Sequence, residues 1–285
     1  MFSKEKSNEI ITATLTSDSY SLGSHWVYDE TQLKDLPIDW NILNAPQAMW
    51  HKGKKAGDFT HIGDQLHWLN TFLEDKKTFN SSKYLKFWQE KMATYNGYID
   101  GATRNTLANI VDGKNIGSDS DDFSVIGRIS PLLLVSQNED EFVSNVEKFV
   151  KLSHNSKNVI ESAIFFARLL FRVYDNKNIE QEIISLKNAF DSFIVDGVDR
   201  GIASKNKDTF NAIRDFGPAC GVNEGFSGII YLLAKYPNDL KELLIQNAKA
   251  GGDTSSRAMI ATMIFVSNKS SENIPKEWFN LNINK

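Results

Sequence analysis

Apolar residues recur at three- and four-residue spacing through most of the chain, the signature of amphipathic helices. The first predicted helix runs from near Ser7 to near Gly23, with Ile10, Ile11, Leu15 and Leu22 on or near one stripe. Leu66, Leu69, Phe72 and Leu73 mark a second stripe. Ser81 or Ser82 can cap a helix carrying Tyr84, Leu85, Trp88 and Met92. The pattern predicts further helices over 102–111, 123–135, 139–152, 159–174, 179–194, 225–234, 240–249 and 255–267. Pro131 falls inside the second of these, where it sits in a first turn or forces a kink. Alternating strand patterns with hairpin turns are scarce and no strand–helix alternation recurs, so the fold class is all-α. No composition shift or low-complexity linker marks a boundary, and one domain over residues 1–285 is the simplest organisation. The stretches 41–57 and 195–221, punctuated by Gly and Pro, are predicted as long connections, which in compact domains are often functional.

Composition narrows the function. The net charge of -4 gives no electrostatic reason to expect nucleic acid or an anionic membrane as a partner. The short basic stretch 52–55 reads as a solvated loop. Cys220 is the single cysteine, so neither an internal disulfide nor a thiolate metal cluster can form, which fits a reducing cytoplasm. The N-terminal Met-Phe-Ser-Lys-Glu-Lys has no apolar signal region, and the longest apolar run, around 164–173, is broken by Arg168 and Arg172. A soluble cytoplasmic protein is expected.

Four segments hold residues that can carry chemistry. In Ala250-Gly251-Gly252-Asp253-Thr254-Ser255-Ser256-Arg257, two glycines precede a capped helix start. That is an ordinary structural device, but Asp253, Ser255 and Ser256 also form an oxygen set suited to a hard cation. Residues 57–68 contain His61, Asp64 and His67 at three-residue spacing. A histidine–carboxylate zinc site is weighed there against one core and one exposed histidine. Six residues between the histidines drift well off one face, which favours the second reading. Residues 117–123 form an acidic loop that lacks the glycine and terminal glutamate of a calcium hand. It is either a solvated helix cap or a loop that holds ribose hydroxyls. Asp18 lies inside the first predicted helix, where it must face solvent or a polar site. Ser153-His154-Asn155 is a weaker cluster. No nucleophile elbow, phosphate loop or dinucleotide fingerprint is present. Cys220 reads more readily as a structural cysteine than as a nucleophile.

Together these stretches resemble the ADP-ribosylglycohydrolase family, in the branch similar to bacterial relatives of J1-crystallin. The matching segments are 18–29, 56–68, 97–107, 127–133, Ser153-His154, 216–233 and 250–257, in the family's order. The resemblance implies an all-helical fold and a binuclear Mg²⁺ or Mn²⁺ site. It also implies hydrolysis of the bond between ADP-ribose and a protein side chain or small acceptor. The family holds its metals with Thr-Asp-Asp-Thr and Asp-x-Asp-Thr motifs. Gly63-Asp64-Gln65-Leu66 is matched to the first, keeping only the carboxylate of Asp64. Asp253-Thr254-Ser255-Ser256 is matched to the second, with Ser255 in place of its second aspartate. Asp64, Asp253, Ser255 and Ser256 are thus the implied metal ligands. With two anionic ligands neutral, one ion, weak binding or none is expected, unless Asp18, Asp29, Glu30 or Asp58 compensates. The implied catalytic carboxylates are Asp64, Asp122 and Asp29. The implied substrate contacts are Asp18, Asp58, Ser118, Asp121, Phe123 and His154, and the implied partner is an ADP-ribose-like molecule or an ADP-ribosylated acceptor. A non-catalytic nucleotide binder or a crystallin-like structural protein is the alternative.

Overall fold

Helix α13 (Thr254–Asn268) is buried at all of its positions, so the rest of the molecule is arranged around it. A helix that is apolar on most sides must lie inside. Helix α1 (Lys4–Ser21) packs along it, and helices α7 (Lys157–Arg172), α11 (Val222–Lys235) and α12 (Leu240–Ala250) cover its other sides. The computed structural model describes residues 2–283. Among them are α2 (Glu30–Lys34), α3 (His61–Leu73), α4 (Ser81–Thr94), α5 (Gly101–Val111) and α6 (Glu139–Lys151), with α8 (Ile179–Lys187), α9 (Ser192–Ala203) and α10 (Thr209–Phe216) completing the helices. The described residues contain no β-strand, only two isolated bridges, Ser118 with His154 and Asp122 with Gly221. The all-α expectation holds. No helix among the described residues is long and apolar enough to cross a membrane.

Helix α1 shows how a polar helix can be buried. Its hydroxyls bond back to its own carbonyls, Thr14 to Ile10 at 2.7 Å and Ser21 to Ser17 at 2.8 Å. Such bonds satisfy the side chain without a distant partner. The predicted stripe of Ile10, Ile11 and Leu15 is buried as expected, and Ser3 caps the helix by accepting from the Lys6 N–H at 3.0 Å.

Three predicted elements differ. Residues 123–135 form two 3-10 turns, Ser124–Arg128 and Ser130–Val135, rather than one α-helix. Pro131 cannot donate the N–H that a continuous α-helix would require of it, and it sits in the first turn of the second segment. The predicted helix over 179–194 ends at Lys187. The supposed connection 195–221 contains most of α9 and all of α10. Gly197 and Gly201 read as breakers in the sequence. In the fold they let α9 lie close against Phe226 and Ile230 of α11.

A similar close approach fixes α3 against α1. A Cβ built on Gly63 would lie 2.1 Å from Asp18 Oδ2, a buried oxygen held by the Thr60 N–H. At an open helix position, Gly→Ala stabilises by roughly 0.5–1 kcal/mol. Here the overpacking costs about 1–3 kcal/mol, so Gly63→Ala is expected to be net destabilising. Thermal or urea unfolding checks the sign: a variant at least as stable as the parent would mean that Asp18 is not fixed against α3.

Candidate functional site

Three helices begin at the same place. Thr60 caps α3 by accepting from the Ile62 N–H, and Asp100 caps α5 by accepting from the Thr103 N–H at 2.6 Å. Asp253 caps α13 by accepting from the Ser256 N–H at 3.0 Å. The Thr60 and Ser255 hydroxyls are 3.4 Å apart, His61 Nε2 is 3.5 Å from Asp100 Oδ2, and His25 Nδ1 is 3.6 Å from Asp253 Oδ1. The positive ends of three helix dipoles thus meet around a cluster of imidazoles and carboxylates.

Asp18 ties these elements together. It accepts from the Thr60 N–H at 2.8 Å, from the Thr60 hydroxyl at 2.6 Å, and from the Ser255 hydroxyl. Burial nevertheless pushes its carboxyl up to about 6. The Gly251-Gly252 turn before α13 needs left-handed backbone, with φ of 69° and 68°. Arg257, fully buried, donates to the Gly251 carbonyl at 2.6 Å and to Asn247 at 2.8 Å, which locks that turn.

His25, His51 and His61 form a buried group whose ligand-capable nitrogens all lie within 4.8 Å of one another and could hold a metal ion. His51 Nε2 is 3.3 Å from His61 Nδ1. Burial lowers all three rings: His51 to about 2, His61 to about 4, and His25 well below its ordinary value. They are neutral at physiological pH. Trp26 packs over them, with its ring 4.7 Å from His25, 5.0 Å from His61 and 5.4 Å from His51. Its φ of 63° is uncommon for a bulky residue, and its N–H is held by the Gly252 carbonyl at 2.8 Å. Tyr98 and Trp50 extend the aromatic wall to the rim of a cavity of about 420 Å³ that His51, Lys52 and Lys54 also line.

The carboxylates beside this group have opposed tendencies. Burial, with Asp100 and Asp253 nearby, pushes Asp122 up to about 7, although it accepts from the Ser124 N–H at 2.7 Å. Burial also works to raise Asp100, but the His61 ring, the Arg128 guanidinium and the Thr103 N–H outweigh it and hold Asp100 below its ordinary value. Burial and the carboxylates of Asp122 and Asp253 push the Cys220 thiol up, away from the reactive thiolate.

The residues singled out in the sequence fall into separate groups. Ser255 and Asp18 meet at Thr60. One oxygen of Asp253 caps α13, while its Oδ2 and the Ser256 Oγ are buried without a hydrogen-bond partner among the described residues. Asp64 instead binds Lys54 at 2.5 Å and Tyr95 at 2.6 Å. Gln65 points elsewhere, accepting from Trp88 Nε1 at 3.0 Å and from Arg128. Ser255 therefore faces Thr60, not Asp64 or Gln65. Asp29 is exposed and caps α2 by accepting from the Gln32 N–H at 2.8 Å. Asp58 accepts from Asn282 Nδ2 at 2.8 Å and from the Lys55 N–H at 2.7 Å. In the acidic loop Asp121 is exposed, and Ser118 is buried and accepts from the Ser120 N–H. Phe123 is fully buried in the core. His154 is buried, bonded through Nδ1 to the Ser153 hydroxyl at 2.9 Å, and lowered by burial to about 3.

A pair of hard dications is poorly served by this donor set. The Asp18 oxygens are taken up by hydroxyl and amide donors, Asp64 by a lysine and a tyrosine, and nitrogen donors stand where carboxylates are needed. His25, His51, Trp26, Tyr98 and Asp100 escape a reading by local spacing because they come from separate segments. Only the structure shows that four of the five histidines (His25, His51, His61 and His154) are buried.

Comparison with known proteins agrees with this architecture. The chain is 21% identical over 299 aligned positions to crystallin J1A of Tripedalia cystophora, covering 96% of this chain and 91% of the relative. A solved structure described as an ADP-ribosylglycohydrolase-related protein complex superposes with a TM-score of 0.66 at 14% identity, covering 96% of this chain and 90% of that one. The model of the ADP-ribosylglycohydrolase family matches residues 10–282. The chain belongs to the ADP-ribosylglycohydrolase family.

Proposed function

We propose that the chain hydrolyses a glycosidic conjugate of an ADP-ribose-like molecule, with Asp122 as general acid and Asp100 as general base. The observation that carries this reading is the pair of neighbouring buried carboxyls whose proton affinities are driven apart. Asp122 is raised to about 7 and Asp100 is lowered. Such divergence assigns an acid and a base in glycoside hydrolysis. Asp122 would protonate the leaving-group atom of the glycosidic bond, and Asp100 would take a proton from the attacking water. Catalytic roles for Asp64 and Asp29 have less support, since one is engaged by Lys54 and the other caps a surface helix. A family-type Mg²⁺ or Mn²⁺ pair held by Asp64, Asp253, Ser255 and Ser256 likewise has little support in the contacts of those residues, and no step here depends on it.

The ligand's aromatic base would stack on Trp50 with Tyr98 standing nearly perpendicular beside it, and its phosphates would meet Lys52 and Lys54 at the rim of the same cavity. The stretch 52–55 would then be part of the ligand site rather than a solvated loop. Ser118, Asp119 and Ser120 line a second cavity of about 530 Å³ next to Gly101, which would offer hydroxyl and carboxylate partners to a ribose.

Turnover of ADP-ribosyl conjugates and calorimetry with ADP-ribose test this reading. Asp122→Asn is expected to lower turnover by about 10²–10⁴-fold while ligand binding persists. Because the acid must be protonated, activity in the parent should fall as pH rises through about 7. Trp50→Ala is expected to weaken ADP-ribose binding by about 5–150-fold, the loss of one base-stacking surface. A parent that binds ADP-ribose but turns over no conjugate would be a non-catalytic binder, and one that does neither would remove the nucleotide reading altogether.

A further inference from the structure

We infer that His25, His51 and His61 form a mononuclear site for a borderline transition-metal ion of the Zn²⁺ or Co²⁺ type, in place of a pair of hard cations. The inference does not depend on the hydrolase reading, because its readouts are metal stoichiometry and coordination.

Geometry is the first argument. Two imidazole nitrogens bound to one tetrahedral ion at about 2.0–2.1 Å are separated by about 3.3 Å. His51 Nε2 and His61 Nδ1 are 3.3 Å apart. The third ring offers a nitrogen within 4.8 Å of these, so a small rotation of one side chain completes three ligands. His25 Nε2 is the nitrogen for this purpose, since it is buried and has no hydrogen-bond partner among the described residues.

The second argument lies behind the rings. Metal-bound histidines commonly direct their other ring nitrogen at a carboxylate, which fixes the tautomer and raises ligand basicity. Here two do so: the far nitrogen of His61 faces Asp100 at 3.5 Å, and that of His25 faces Asp253 at 3.6 Å. The His25 Nδ1 also receives the Ser255 N–H at 3.3 Å. Binding at Nε2 would move the His25 proton to Nδ1 and turn it toward Asp253. A hydrogen-bonded trio of histidines would need no second carboxylate behind it.

Ligand chemistry sets the class of ion. Neutral imidazoles suit Zn²⁺, Co²⁺, Ni²⁺ and Cu²⁺ and serve Mg²⁺ poorly. Three protein ligands leave a further coordination position, and His51 lines the cavity of about 420 Å³, which gives an ion a way in.

The test uses the full chain stripped with a chelator. Titration with Zn²⁺ by calorimetry, and with Co²⁺ by visible absorption, is expected to give one ion per chain, the strong ligand-field bands of four- or five-coordinate Co²⁺, and no displacement by excess Mg²⁺. His51→Ala alters a short surface turn and should retain the helical circular dichroism of the parent. Its Zn²⁺ affinity should fall by about 100-fold or more, whereas His67→Ala, outside the group, should leave affinity unchanged. X-ray absorption of the Zn²⁺-loaded parent gives an answer even if His51→Ala fails to fold. Imidazole scattering at about 2.0 Å supports the site. A shell of oxygens alone, stoichiometric binding of two ions that Mg²⁺ displaces, or no stoichiometric binding at micromolar Zn²⁺ would overturn it.

Discussion

The carboxylate of Asp18 is the joint on which the site depends. It projects from α1, takes the Thr60 N–H and hydroxyl at the start of α3, and takes the Ser255 hydroxyl in the first turn of α13. A buried carboxylate without partners would be prohibitively costly, and these donors offset much of that cost. The arrangement is also exacting. Gly63 must lack a side chain for α3 to come this close. Once the three helices are joined in this way, the residues next to the joint have little freedom. His61 follows Thr60 and turns inward, and Asp253 lies two positions before Ser255 and faces His25. The imidazole and carboxylate groups are therefore consequences of one packing decision made by an aspartate within a mostly polar helix.

That aspartate stood out in the sequence as costly in a helix interior, and the structure gives the reason. The cap Asp253 and the apolar stripes of α1, α3 and α4 were also legible, because capping and periodicity are local properties. Helices α9 and α10 were not. The glycines of α9 serve contact with α11 instead of ending a helix. The site was the least legible part. His61, Asp64 and His67 look like neighbours in sequence, but α3 turns His61 to the interior and Asp64 outward to Lys54 and Tyr95. The real neighbours of His61 arrive from the 3-10 turn at Met49–His51 and from the segment after α1. No spacing rule joins those segments, since only tertiary packing brings them together.

The contacts also bear on how the chain compares with its family. When the Thr-Asp-Asp-Thr motif is laid on Gly63-Asp64-Gln65-Leu66, its carboxylate falls among Lys54 and Tyr95, away from Ser255. Laid three residues earlier, on Thr60-His61-Ile62-Gly63, its first threonine becomes the hydroxyl that meets Asp18 and Ser255. The first aspartate position then holds His61. In that register an anionic oxygen has been exchanged for a neutral nitrogen at the centre of the site, and His25 and His51 stand beside it. Such an exchange lowers the negative charge where two hard dications would repel each other, while keeping a lone pair directed at the same space.

In that register the helix starts survive the exchange, because the capping residues are not the ones exchanged. Thr60, Asp100 and Asp253 each cap a helix, and a cap uses one oxygen to bind a backbone N–H regardless of what the rest of the side chain faces. Asp253 caps α13 through Oδ1 and leaves Oδ2 uncommitted, and Asp100 caps α5 through Oδ1 while Oδ2 faces His61. Helix starts therefore persist when the ligands between them change from oxygen to nitrogen. The converging dipoles favour negative charge there, while burial and the anionic neighbours Asp100 and Asp253 work the other way on Asp122. The fold thus keeps the helix starts together, and the side chains between them set the chemistry.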